Sequence, residues 1–358
     1  MSQCCARKRW LAVVFSSAVI LFAGGCSKEA LKEFALAGDA EEARPTPIGR
    51  GFRNKDEPEV LRPMGVITTG LRGELGVTGE FARLLTGTNE TVKLQQPVAI
   101  GGYGDTLFIV DAMERGIYRY NRKDKSIVTL GEAGKQFAGD PMGLYVEADL
   151  SFYVCDPVGK RVFYFDRNGK VLRTYQDLKN LSRPVDVIYD ATTNRVLVAD
   201  GSFSHVLAFD KMGEPLSAIG SRGSGPGKFR AITAINKINE SLFVTDRLEL
   251  KVQELSVDGE FRYSFGEAEL TWPTAVVVDK YQRLYISDRS DNTIRVYDDI
   301  RLIATLGGTG SAPGRFRLIA DMWLSEDGVL YVADSLNRRI QVFEVVADTP
   351  QMPNFISQ

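Results

Sequence analysis

LYVADSLNRRIQVF (Leu330–Phe343) contains the unit from which the rest of the chain can be read. A short β-branched and aromatic run ends in Asp334; Ile340 stands six residues on and Phe343 nine residues on. The same text recurs at Asp111, Asp156, Asp200, Asp246 and Asp288, and successive aspartates are 45, 44, 46, 42 and 46 residues apart. Offset six holds Ile117, Val162, Val206, Val252 and Ile294, and offset nine holds Tyr120, Phe165, Phe209, Leu255 and Tyr297. Positions of opposite parity lie on opposite faces of a strand, so both faces of each sheet are apolar. A sheet wedged between two neighbours in a ring meets that requirement, whereas one solvated face would give clean apolar and polar alternation. Several short strands per unit at this period predict an all-β, six-bladed β-propeller.

The six repeats fill residues 96–345. Inner strands open near Pro97, Pro141, Pro184 and Pro273, with Ile232 replacing the proline in repeat four, and Ala320-Asp321-Met322 opens repeat six. Glycine-rich links such as IGSRGSGPGKF (Ile219–Phe229) and LGGTGSAPGRF (Leu306–Phe316) return the chain to the next inner strand. Repeat six stops after its third strand. Met64–Gly70 resembles the fourth-strand text of repeat five, Ala304–Gly310, and is expected to close the ring, which removes the exposed edges of an open sheet. Phe81, Leu84 and Leu85 suggest a short helix. The propeller is thus placed at 63–345, with the closing strand and helix in 63–95 and a polar tail at 346–358.

Residues 1–25 have the layout of an export signal: Arg7, Lys8 and Arg9, then an apolar stretch from Trp10 to Ala23. Fourteen apolar residues are too few for a span, which needs about 20. Ala23-Gly24-Gly25-Cys26 resembles a bacterial lipobox, making Cys26 the expected lipidated first residue of the mature chain. Two acyl chains suffice for stable anchoring. Residues 26–62, charged and broken by Pro45, Pro47 and Pro58, read as a flexible tether. Cys4 and Cys5 leave with the signal, so Cys155 has no disulfide partner. The formal charge of −2 gives no general attraction to nucleic acid or anionic membrane, so membrane contact is expected through the lipid alone.

DSLNRRIQVF, DRSDNTIRVY (Asp288–Tyr297) and DPVGKRVFYF (Asp156–Phe165) resemble NHL repeats, and GSGPGKF is similar to the loop that separates them. The resemblance spans about 250 residues, from Gln96 to Val345, and together with the lipobox points to the NHL-type lipoproteins of the bacterial cell envelope. It implies a six-bladed propeller used as an interaction surface, with no common cofactor. Membership near multihaem cytochromes in some relatives makes a cytochrome complex one implied setting. The chain itself has no Cys-x-x-Cys-His and binds no c-type haem.

The six repeat aspartates, one per unit at a strand end, are expected to accept backbone N–H bonds in the following turn. Asp186 and Asp321 differ from them. They occupy the inner-strand position that Ala99, Gly143 and Ala275 hold elsewhere, in opposite repeats, so both are candidates for the axial channel and for Ca²⁺. Six-bladed lactonase-like propellers do hold a metal there, but Ca²⁺ takes six to eight oxygens and no further carboxylate or amide stands at the matching positions. His205, the only histidine, stands where other repeats have Arg161, Lys251 and Arg339. With Arg115, Lys160 and Arg338 these form a candidate cationic face for an acidic partner. Surface pairing with neighbouring acids is the competing use of the same charges. RGSGPGKF lacks the Gly-Lys-Ser/Thr ending of a phosphate loop.

The expected function is therefore that of a non-catalytic propeller, tethered in the envelope at the outer membrane, facing the periplasm or the exterior and binding an envelope protein or polymer rather than nucleic acid. The alternative is a metal-assisted hydrolase or lyase with its site in the channel.

Overall fold

The computed structural model describes residues 60–72 and 91–346. The signal, Cys26, most of the tether, the expected helix at 79–85 and the tail beyond Val346 lie outside the described residues.

Six four-stranded antiparallel units follow one another along the chain. Their inner strands are Pro97–Tyr103, Met142–Val146, Pro184–Asp190, Ile232–Ile238, Pro273–Val278 and Ile319–Leu324. Each touches the next, and the last touches the first, so the ring is closed. Every second strand ends on its repeat aspartate, and the third strand begins a few residues later. All six of these turns, together with the links that enter the inner strands, therefore share one end of the ring, the turn end. The hairpins joining inner to second and third to fourth strands share the other, the hairpin end.

The two faces of each third strand serve different neighbours, as their parity requires. Val162 packs into the cluster between blades two and three, while Phe165, three residues on, packs into the cluster between blades one and two. Val206 and Phe209, and likewise Ile340 and Phe343, divide in the same sense. The apolar core accordingly forms six clusters, one at each interface between neighbouring blades. Burying a side chain of this size contributes about 1.5–3 kcal/mol, so the apolar contribution to stability lies mostly between blades.

Blade six is completed by Leu61–Ile67, antiparallel to Arg339–Val345. The closing strand begins three residues before the expected Met64, which takes Leu61 and Arg62 out of the tether and into the sheet. Its far end is a correction too. Thr69–Arg72 leaves blade six and lies parallel to Ser126–Thr129 of blade one, with Thr91–Lys93 beside it. A single polypeptide segment thus joins the last blade to the first.

A bulge interrupts each inner strand near its start. Blade two differs from the sequence alignment by one residue. Met142, not Gly143, pairs opposite Cys155, in the register that Ala99 and Asp186 occupy in their own blades. Gly143 forms the bulge with φ +41°, and a Cβ there would stand 2.6 Å from the Asp186 Cα and 2.7 Å from the Val185 carbonyl oxygen. Glycine is what lets blade two approach blade three this closely.

Candidate functional site

The six repeat carboxylates are fully buried at the turn end. Asp111 accepts the backbone N–H groups of Gln95 and Gln96 at 2.7 and 2.9 Å, and that of Met113 at 3.1 Å. Asp246 does the same for Arg230 and Ala231, at 2.6 and 3.1 Å, and for Leu248 at 3.0 Å. These carboxylates tie down the link into the blade and shape the turn out of the second strand. Four residues after each aspartate the chain takes a left-handed conformation, at Arg115, Lys160, Ser204, Leu250, Asn292 and Arg338, with φ between 47° and 61°.

That conformation places Arg115, Lys160 and Arg338 at the tips of their turns, exposed to solvent. The next position behaves differently. Arg339 is buried, its Nε 2.7 Å from Asp334 and its Nη2 on the carbonyls of Ala312 and Arg315. It belongs to the interior rather than to the expected cationic face. Arg161 donates Nε to Asp156 at 3.0 Å and lies over the Phe163 ring, and Lys251 stands 3.8 Å from both Glu249 and Glu267. His205 is half-buried, with Nε2 donating to the Asn180 carbonyl at 2.8 Å. Sequence alignment therefore brings these residues to one end of the ring, but only the left-handed positions present exposed cationic tips.

Large apolar side chains share that end. Met113, Val158, Phe203, Leu248 and Leu336, each two or three residues after a repeat aspartate, are between 40% and 65% exposed. Trp272, just before the inner strand of blade five, is also exposed. The Arg247 guanidinium lies 5.6 Å from its ring and the Arg289 guanidinium 5.1 Å, so the indole is flanked by cations from blades four and five. Neither guanidinium ion-pairs with another described residue.

A cavity of about 410 Å³ lies on the axis. Its lining runs from Asp186 and Asp321 to Asp190, Thr192 and Lys237, which places it toward the hairpin end. Lys237 bonds Asp190 at 2.9 Å near the rim. Each deeper carboxylate joins two blades. Asp186 accepts the N–H of Val187 and, from blade four, that of Ile235, both at 2.9 Å. Asp321 accepts Met322 N–H at 2.8 Å and, across the ring closure, Ile100 N–H at 2.9 Å from blade one. Hydroxyls serve the same purpose elsewhere: Thr233 Oγ1 donates to the Pro273 carbonyl at 3.0 Å and Thr274 Oγ1 to that of Ile319 at 3.3 Å. With no cation at hand, burial pushes the Asp186 carboxyl up to about 7. Burial, and after it the charge of Asp186, pushes Asp321 well above the ordinary range. Among the described residues, no three His, Cys, Asp or Glu side chains gather as a metal-ligating group. The thiol of Cys155, buried in blade two, is also pushed up by desolvation, which makes it unreactive.

With this geometry in place, the chain can be compared with known proteins. A family of six-bladed β-propellers, DUF5128, matches residues 179–279, from the link before blade three to the start of blade five's first hairpin. A catalytically inactive histidine-to-alanine variant of virginiamycin B lyase from Staphylococcus aureus, solved with quinupristin, superposes with a TM-score of 0.54 at 14% identity, over 73% of this chain and 86% of its own. A protein of unknown function from Bacteroides thetaiotaomicron gives 0.55 at 16% identity, over 78% and 76%. A streptogramin B lyase gives 0.52 at 12%, over 71% and 95%. No curated protein sequence matches. The molecule is a six-bladed β-propeller.

Within this propeller, sequence reasoning brought Arg115, Lys160 and Arg338 to the exposed turn end and the axial pair to the cavity, but misplaced Arg339 and missed the apolar tips and the Trp272 cluster. The signal was available for the tips. Met113, Val158, Leu248 and Leu336 all stand two residues after their aspartates, a turn position at which a large apolar side chain is out of place. Trp272 has no counterpart in the other repeats, so only the fold reveals that Arg247 and Arg289 converge on it.

Proposed function

We propose that the chain is a non-catalytic, NHL-type interaction propeller of the bacterial cell envelope, lipid-anchored through Cys26, that binds an envelope partner at its turn end. The observation that carries this reading is the coincidence, at one end of the ring, of exposed cations with large exposed apolar side chains. Soluble monomers rarely leave such a set uncovered without a partner.

The channel-enzyme alternative draws support from one fact, an Asp186 carboxyl poised near neutrality in a cavity. The oxygens of Asp186 and Asp321 are, however, all engaged by backbone N–H groups, which leaves few of the six to eight oxygens that Ca²⁺ takes. The likeness to the lyases extends to the fold alone. A histidine-dependent lyase reaction would have only His205 to use here, and His205 sits at the end away from the cavity.

Photo-crosslinking residues placed singly at Arg338 and at Lys280, one at each end, test the proposal in intact cells. Defined adducts from position 338 and none from 280 are the expected result. Adducts from 280 alone would transfer the site to the hairpin end. Release of a Cys26→Ser variant from the membrane fraction is the expected sign of lipidation, and retention would remove the anchor from the proposal.

A further inference from the structure

The Trp272 cluster defines the chemistry of the partner. Resting on the interaction reading above, we infer that the turn end takes a protein segment in which acidic and aromatic side chains are interleaved, with Trp272 between Arg247 and Arg289 as its anchor point. The two guanidiniums reach the indole from different blades, at 5.6 and 5.1 Å, and hold it while their own charges remain without a carboxylate among the described residues. A partly exposed indole with two such cations over its ring presents apolar surface bordered directly by positive charge. Its complement is an aromatic or aliphatic side chain with carboxylates on either side. Tryptophan and arginine are also the side chains that most often dominate binding energy at protein interfaces.

The surrounding ring has the same composition. Leu248 follows Arg247 directly, and Leu336 precedes the exposed Arg338 by two residues, as Val158 does Lys160 and Met113 does Arg115. An apolar tip and a cation therefore stand together in the turns of blades one, two, four and six. An acidic polymer without apolar groups would leave those tips in water. A mixed acidic and apolar protein segment is the occupant that uses both features.

The test uses the whole mature chain and two synthetic probes, a glutamate homopeptide and one of equal length interleaved with phenylalanine, with anionic lipid vesicles in a third arm. The mixed peptide is expected to bind about tenfold or more tighter than the homopeptide, a difference of about 1.4 kcal/mol. Trp272→Ala, and separately the pair Arg247→Gln with Arg289→Gln, are expected to weaken it by a similar factor. Trp272 and Arg289 are exposed and Arg247 is half-buried, and an unchanged unfolding temperature would show that the fold is intact. Equal binding of the two peptides, an unaffected Trp272→Ala variant, binding of vesicles alone, or no binding at all would each overturn the inference. Crosslinks from position 338 in cells are an independent readout: if they persist while the peptides fail, the anchor is wrong and the interaction reading stands. If both fail, the reading fails with it.

Discussion

Asp288 at the turn end and Asp186 at the axis are both withdrawn from bulk water, yet their protons are held in opposite ways. Burial alone would raise Asp288, but the Ser290 hydroxyl and the N–H groups of Thr271, Trp272 and Ser290 outweigh it and bring the carboxyl below its ordinary value. Arg295 adds a cation at 3.2 Å. Asp186 receives two backbone N–H bonds and no cation, so burial prevails and the carboxyl rises to about 7. The difference teaches that identical side chains are sorted by the depth of their burial set against the number and charge of their donors. It also separates two structural roles. The turn-end carboxylates order the loops that form the candidate docking surface, while the axial pair joins adjacent blades.

The largest expected effect comes from removing a turn-end carboxylate that has a buried cation. Asp334→Ala leaves the Arg339 guanidinium enclosed without its partner and should cost about 3–5 kcal/mol in denaturant unfolding. Asp321→Ala removes an acceptor from two N–H groups but strands no charge, so about 1–3 kcal/mol is expected. Equal losses in the two variants would break the distinction between the two sets.

Blade two offers an intermediate case, because it meets blade three through a glycine instead of a carboxylate. Gly143→Ala forces a Cβ against the Asp186 Cα and the Val185 carbonyl, in a backbone conformation that alanine disfavours. A loss of about 1–3 kcal/mol should follow, and an unchanged midpoint would show that the blades can separate at little cost.

The smallest effect is one of pH. The folded Asp186 carboxyl keeps its proton up to about 7, whereas an unfolded one loses it near the ordinary value of 3.8. Its favourable contribution is therefore complete below pH 3.8 and is lost as pH rises toward 7. Thermal unfolding of Asp186→Asn, followed across that range, should show a flatter dependence than the parent protein. Parallel curves would mean that Asp186 is already ionised in the folded state.

Much of the fold was legible in the sequence because its determinants are local and repeated. Offsets six and nine from each aspartate specify which interface a residue enters, and the structure follows that rule in every blade. The closing strand was placed three residues late for a physical reason. Along Leu61–Ile67 only the two ends are buried, so this outer strand carries almost no periodic signal to fix its register. The axial pair shows a different limit. Alignment put Asp186 and Asp321 on inner strands, but the N–H groups that occupy their second oxygens come from residues 49 and 221 positions away. Likewise, the burial of Arg339 depends on carbonyls in a link more than 20 residues earlier, which no pattern within its own repeat discloses.

The axial carboxylates, taken here as joints between blades and not as ligands of a metal, are where the interaction reading and the enzyme reading divide. Thermal unfolding with and without millimolar calcium, on the parent protein and on Asp186→Asn, puts that to the test. If they are joints, each protein unfolds at the same temperature in both conditions. A calcium-dependent rise in the parent that is absent from Asp186→Asn would contradict it and return the channel to the enzyme reading.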